Sequence, residues 1–223
     1  MLTNEKRITI LCGHYGTGKT NVAVNLALAM AKTGEKVTVA DLDIVNPYFR
    51  TLDSAAAFET AGIRLICSRF ANTNVDLPSL PPDLYAITDD KTRRVVIDVG
   101  GDDSGAMVLG RLAPAILEEG SYAMYLVVNR YRPLTPDVPS TVEVMGEIEA
   151  ASRLRFTGIV NNSNLGVATS AGVVLRTVEY AAELAKAANL PLVATTVEEN
   201  IYPDLEGKIS DLFPLQLQNN KPF

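Results

Sequence analysis

Eight consecutive residues, Gly13-His14-Tyr15-Gly16-Thr17-Gly18-Lys19-Thr20, place three glycines, a lysine and a hydroxyl at the spacing G-x-x-x-x-G-K-T. A glycine-rich turn exposes backbone N–H groups that, with the first turn of a following helix, cradle phosphate oxygens. A lysine at the end of such a turn reaches the β- and γ-phosphates of a nucleoside triphosphate, and the hydroxyl after it ligates Mg2+. Residues Gly13 to Thr20, with Asn21 at the helix start, are therefore the candidate nucleotide-binding set. Lys19 is also a catalytic candidate and Thr20 a metal ligand.

Four further places put polar residues directly after apolar runs. Asp41-Leu42-Asp43 closes one run and leads into Ile44-Val45-Asn46-Pro47-Tyr48-Phe49-Arg50. Asp98-Val99-Gly100-Gly101-Asp102-Asp103 closes a second. Asn129 and the pair Asn161-Asn162 close two more. An acid that ends an apolar strand behind a phosphate loop holds Mg2+ through water and senses the γ-phosphate. Asp98 with Gly101 has this D-x-x-G form, in which a glycine amide swings toward the γ-phosphate. Asp102, Asp103 or Ser104 suits a helix N-cap instead.

These residues need elements to carry them, and strand-like and helix-like segments alternate along the chain. Strands are expected at 7–12, 36–40, 64–67, 94–98, 122–129, 156–161 and, last, 192–196. Helices are expected at 19–32, 54–60, 106–118, 141–153 and, as one long helix, 170–188. Pro114 is positioned to kink or restart its helix. Residues 76–83 form a proline-rich surface connection, and Pro133, Pro136 and Pro139 mark a loop. Near-continuous apolar strands joined by helices predict a three-layer α/β P-loop NTPase fold, a mostly parallel sheet with helices on both faces. No repeat or linker interrupts it, so 1–223 is expected to form one domain. Ligands of such sheets lie beyond the carboxyl ends of the strands, where the polar residues sit.

Composition narrows the function classes. The 223 residues carry a net charge of −6, with 47% apolar and 21% charged residues, as expected of an ordinary globular chain rather than a nucleic-acid-binding one. Arg130 and Arg132 are a local exception, read as solvated loop arginines. Cys12 and Cys67 form no C-x-x-C, and no stretch has the length of a signal h-region or a membrane span, so a cytoplasmic location is expected.

Asp41 and Asp43 follow Lys19 by 22 and 24 positions. Phosphate loop, D-x-D, D-x-x-G and strand-end Asn in this order resemble the ParA/MinD family of ATPases, over residues 7 to about 205. The wider group includes nitrogenase iron protein, Mrp-type carriers, and amidotransferase and dethiobiotin synthetases. The resemblance implies ATP/ADP and Mg2+ as ligands, with Asp41 helping to organise the metal beside Asp98, and Asp43 positioning the attacking water. It implies adenine recognition by Asn129 or Asn161, helped by the loop Val197 to Pro203. It further implies a nucleotide-dependent homodimer serving a protein partner or cargo. The chain departs from the family in one respect: the lysine expected early in the loop is His14, followed by Tyr15. His14 and Arg50 are the candidates to supply that charge. Tyr48 and Phe49 pack the loop or face a partner, and a cysteine such as Cys67 could contribute at a dimer axis. The guanine signature N-K-x-D has no match, since Asn161 is followed by Asn162, Ser163 and Asn164, which favours ATP. The tail from Leu205 to Phe223 lacks the basic or amphipathic character for DNA or membrane attachment. A synthetase or kinase acting on a small carboxylate is the alternative activity.

Overall fold

The computed structural model describes Leu2 and residues 5–43, 54–67, 82–101 and 103–217. The segment with Asn46, Pro47, Tyr48, Phe49 and Arg50, and Asp102, lies outside the described residues, as does the side chain of Cys67. Eight strands form one sheet: β1 (Ile8–Cys12), β2 (Val37–Leu42), β3 (Arg64–Cys67), β4 (Arg94–Val99), β5 (Tyr122–Val128), β6 (Gly158–Asn161), β7 (Leu192–Glu198) and β8 (Leu212–Leu215). Their order is β3-β2-β4-β1-β5-β6-β7-β8, and every pairing is parallel. The helices are α1 (Lys19–Lys32), α2 (Ala55–Thr60), α3 (Pro82–Asp89), α4 (Asp103–Glu119), α5 (Val138–Ser152), α6 (Ala171–Leu175), α7 (Val178–Ala188) and α8 (Tyr202–Leu205).

Strand parity sorts the core into two layers. Ile8, Ile10 and Cys12 of β1 join Leu109 and Ile116 of α4 and Leu184 of α7 on one face. Leu11 joins Val22, Leu26 and Met30 of α1 on the other, together with Val39, Val96, Val127 and Val160. Both faces of the central strands are thus buried, which is why they read as unbroken apolar runs. The three-layer α/β arrangement expected from the sequence is what the chain forms.

The departures have local causes. Helix α4 runs through Pro114 to Glu119 without a break. It lies close to α5, where a Cβ on Gly110 would sit 2.7 Å from the Ala151 carbonyl. Helix α5 starts at Val138, three residues before the expected 141. Asp137 accepts from Ser140 N at 2.9 Å and Pro139 fits the first turn, where its missing N–H costs nothing. The proline-rich connection gives way to α3 at Pro82 for the same reason. The single helix expected over 170–188 divides into α6 and α7. The Thr177 hydroxyl donates to Val174 O at 2.7 Å and accepts from Asn161 at 3.0 Å, giving the backbone an alternative to the helical ladder.

Strand β7 was expected to be the last; β8 lies outside it. A proline at 214 argues against a central strand but is tolerated at a sheet edge. The end of β8 is fastened to α1, since Asn25 Nδ2 donates to Gln216 O at 3.0 Å and Gln216 N donates to Asn25 Oδ1 at 2.8 Å.

Candidate functional site

The loop from Gly13 to Gly18 joins β1 to α1 at the carboxyl edge of the sheet. Two of its glycines are enforced by contact. A Cβ on Gly13 (φ 148°) would lie 2.3 Å from the Val127 carbonyl oxygen, and one on Gly18 (φ 85°) 2.3 Å from Asn162 Nδ2. Neither site admits a side chain without moving backbone or a buried amide. The His14 carbonyl gathers the loop around itself, accepting from Thr17 N at 3.4 Å, Thr17 Oγ1 at 3.0 Å and Lys19 Nζ at 3.1 Å. Lys19 and Thr20 are buried within the first turn of α1.

Thr20 Oγ1 donates to Asp98 Oδ2 at 2.6 Å, so the loop helix is bonded directly to the end of β4. Asp98 and Asp41 are buried, 2% and 3% exposed, and stand opposite each other in register on β4 and β2. Asp41 Oδ1 also accepts from Asp43 N at 2.9 Å, which fixes the start of the segment after β2. Gly101 closes the site from the β4 side, where a Cβ would lie 2.5 Å from Tyr15 N. The two predicted metal-organising carboxylates and the Thr20 hydroxyl therefore meet at one place, with Asp43 next to them. Hydroxyl and carboxylate oxygens form the donor set of a hard cation such as Mg2+. The Cys12 thiol beside them offers no competing soft ligand. Burial pushes its pKa far above the ordinary thiol range, with Lys19 opposing that shift and Asp98 adding to it. Among the described residues no cluster of three His, Cys, Asp or Glu side chains could hold a metal ion by itself.

The neutral end of the site is a ladder of amides and hydroxyls. Asn162 Nδ2 donates to the Thr17 carbonyl at 2.6 Å, and its Oδ1 accepts from Thr196 Oγ1 at 2.6 Å. Asn162 thus ties β6 and β7 to the loop. The two asparagines singled out from the sequence point elsewhere. Asn161 donates to Thr177 Oγ1 at 3.0 Å and accepts from Ser163 N. Asn129 donates to Asn164 O at 3.1 Å and accepts from Tyr131 N and Asn164 N. Neither side chain bonds the loop. Asn162 was detectable by parity, because it continues the phase of Val160, which packs on the α1 face, whereas Asn161 continues that of Ile159 on the opposite face. Pro203 lies exposed in the first turn of α8, just beyond β7.

The arginines of the β5–α5 turn are not simply solvated. Arg132 Nε donates to the Gly16 carbonyl at 2.9 Å, and Arg130 lies over the Tyr180 ring, 5.7 Å from its centroid. Beside the loop a cavity of about 400 Å3 is lined by His14, Gly101, Leu134, Ser140, Glu143 and Glu147.

A phosphate loop, a hydroxyl–carboxylate pair and a parallel sheet that presents both at its carboxyl edge define a P-loop nucleoside triphosphatase fold. The ParA family model, described as NUBPL iron-transfer P-loop NTPase, matches residues 3–63. An uncharacterised ATP-binding protein of Methanocaldococcus jannaschii is 57% identical over 37 residues, 17% of this chain and 14% of that protein. The family match covers the loop, α1 and β2, and over that part the chain is similar to ParA/MinD-like P-loop proteins. Among solved structures, FtsY of Thermotoga maritima superposes with a TM-score of 0.57 at 17% identity, covering 89% of this chain and 65% of that one. The signal recognition particle receptor FtsY of Elizabethkingia anophelis in complex with GDP gives 0.53 at 17% identity, covering 97% and 62%. At such identities the likeness is one of fold. The chain spans less than two thirds of the length of either FtsY chain.

Proposed function

We propose that this protein is a Mg2+-dependent ATPase with slow turnover, whose ATP and ADP states govern association with a second copy and through it with a protein partner or cargo. The observation that carries it is the 2.6 Å bond from Thr20 to Asp98. It joins the loop that would hold the phosphates to the D-x-x-G segment that would sense them, so that nucleotide occupancy is mechanically linked to the end of β4. Lys19 would hold the β- and γ-phosphates. Thr20, Asp98 and Asp41 would organise Mg2+, which supplies charge neutralisation at the triphosphate when bound, and Asp43 would orient the attacking water.

ATP is preferred over GTP because no carboxylate follows Asn162 to grip guanine, and the M. jannaschii relative is described as ATP-binding. A protein partner is favoured by exposed apolar side chains in and beside the loop, Tyr15 and Leu134. The net charge of −6 gives no support to DNA or anionic lipid as partner, and a cytoplasmic location is part of the proposal. Among the described residues no helix is long and apolar enough to cross a membrane. The 400 Å3 cavity would suit a synthetase substrate in size, but Glu143 and Glu147 in its lining disfavour a small carboxylate.

The deciding experiment is ATP turnover with size-exclusion chromatography of the wild type, Lys19→Ala and Asp43→Ala. Lys19→Ala should weaken ATP binding about 100-fold, as expected when a charge-assisted bond to phosphate is lost. Asp43→Ala should bind ATP, hydrolyse it slowly and accumulate as an ATP-dependent dimer. Undiminished hydrolysis in Asp43→Ala, with no dimer, would overturn the switch.

A further inference from the structure

Arg132 sits against the phosphate loop, and among the described residues no acid pairs with its charge. Its Nε donates to the Gly16 carbonyl at 2.9 Å. The backbone that carries it is braced from both sides. Arg132 N donates to Asn129 O at 3.0 Å, Thr135 N donates to Arg132 O at 3.2 Å, and the buried Thr135 hydroxyl donates to Asn129 O at 2.8 Å. Asn129 is itself held at 0% exposure by three hydrogen bonds to Tyr131 and Asn164. A Cβ on Gly16 would lie 3.3 Å from Arg132 Nε, so a side chain at that position would crowd the guanidinium against the loop.

A guanidinium is permanently charged and carries five N–H donors, of which Nε is committed here to a neutral carbonyl. The ion pairs formed among the described residues are Arg7–Glu119, Arg94–Glu35 and Arg155–Glu149, and Arg132 belongs to none of them. The exposed side chain therefore presents a full positive charge and two further nitrogens beside a loop built to receive an anion. His14, which stands where the related ATPases carry a loop lysine, takes part in the loop's bonding through its carbonyl.

We infer that Arg132 is a phosphate-binding residue of this nucleotide site, acting in its own subunit and supplying the charge that the loop lacks at position 14. The inference rests on the ATP reading above. Its charge adds to that of Lys19 at the triphosphate, and its bond to Gly16 sets the height of the guanidinium over the loop.

Three substitutions in the full chain separate charge from bracing. Arg132→Ala removes both, Arg132→Gln retains an N–H donor for Gly16 without charge, and Arg132→Lys retains the charge. Binding of Mg·ATP and steady-state turnover are measured for each, with thermal midpoints confirming that the variants fold. Arg132→Ala and Arg132→Gln should each raise the Kd and KM for ATP about tenfold. Arg132→Lys should stay within about threefold of wild type, and the salt dependence of binding should flatten only in the two uncharged variants. Wild-type affinity in Arg132→Gln would reduce Arg132 to a brace for the loop and overturn the inference, as would wild-type affinity in Arg132→Ala. Either result leaves the ATP reading intact. A wild type that binds no Mg·ATP would overturn that reading and this inference together.

Discussion

At the β2–β4 end of the carboxyl edge the buried polar groups are carboxylates, Asp41 and Asp98. At the β5–β7 end they are Asn129, Asn161, Asn162, Ser163 and Thr196. Burial is equal at the two ends and the chemistry is not. An amide both donates and accepts, so the asparagines complete one another in a ladder that reaches from Thr196 to the loop at Thr17. Carboxylates only accept, and two of them in register on neighbouring strands cannot satisfy each other. The amide end is closed by its own hydrogen bonds; under the proposed function the acidic end would be complemented by a cation bound with the nucleotide.

That contrast can be broken by experiment. The largest effect is expected at the acidic end. Asp98→Asn removes the acceptor charge for Thr20 and should lower Mg2+-dependent turnover about 100-fold, with the thermal midpoint of the nucleotide-free protein held or raised. Equal loss of turnover and of stability would make Asp98 a structural residue and end the contrast.

At the amide end the effect should be smaller and should fall on stability as well. Asn162→Ala leaves the Thr17 carbonyl and Thr196 hydroxyl without their partner, at a cost of about 2 kcal/mol in unfolding free energy. ATP affinity should weaken about tenfold, because the loop backbone loses its tie to β6. Asn161→Ala should cost similar stability and leave the ATP affinity of the folded protein unchanged. The same affinity loss in both variants, read by calorimetric titration, would show that the ladder acts as one body rather than through Asn162.

The smallest effect concerns Cys12, beneath the acidic end. Its folded pKa is raised above the ordinary value of 9.0 by burial, so the neutral thiol is favoured in the folded state. The associated stability is fully present below pH 9 and is lost as pH rises above it. The alkaline fall in denaturation midpoint should be shallower in Cys12→Ala than in wild type. Identical slopes above pH 9 would mean that the thiol does not differ between folded and unfolded chains.

The same contrast explains what could be read before the fold was known. The placement of the loop, Asp41, Asp43 and Asp98 at strand ends was legible because each lies in a short run whose spacing is fixed by one strand and one turn. The alternation of apolar strands and helices gave the parallel sheet, since both faces of each central strand are buried. Arg132 escaped because its meaning lies in a contact with Gly16, more than a hundred residues away in sequence; parity separates Asn162 from Asn161 but does not reveal its bond to Thr17. Strand β8 escaped because Pro214 resembles a terminator until a sheet edge is available to it. The break between α6 and α7 depends on a Thr177–Asn161 bond that no helical periodicity encodes.

The two hydrogen bonds between Asn25 and Gln216 have a consequence for biosynthesis. Asn25 in helix α1, which carries Lys19 and Thr20, leaves the ribosome 191 residues ahead of Gln216. Before Gln216 emerges, the Asn25 amide has the Asn21 carbonyl as its partner. At about 5–20 residues per second the intervening chain takes roughly 10–40 s to make. During that interval the nascent chain carries its phosphate loop without the strand that fastens the helix behind it, so the final setting of that helix waits for the completion of β8.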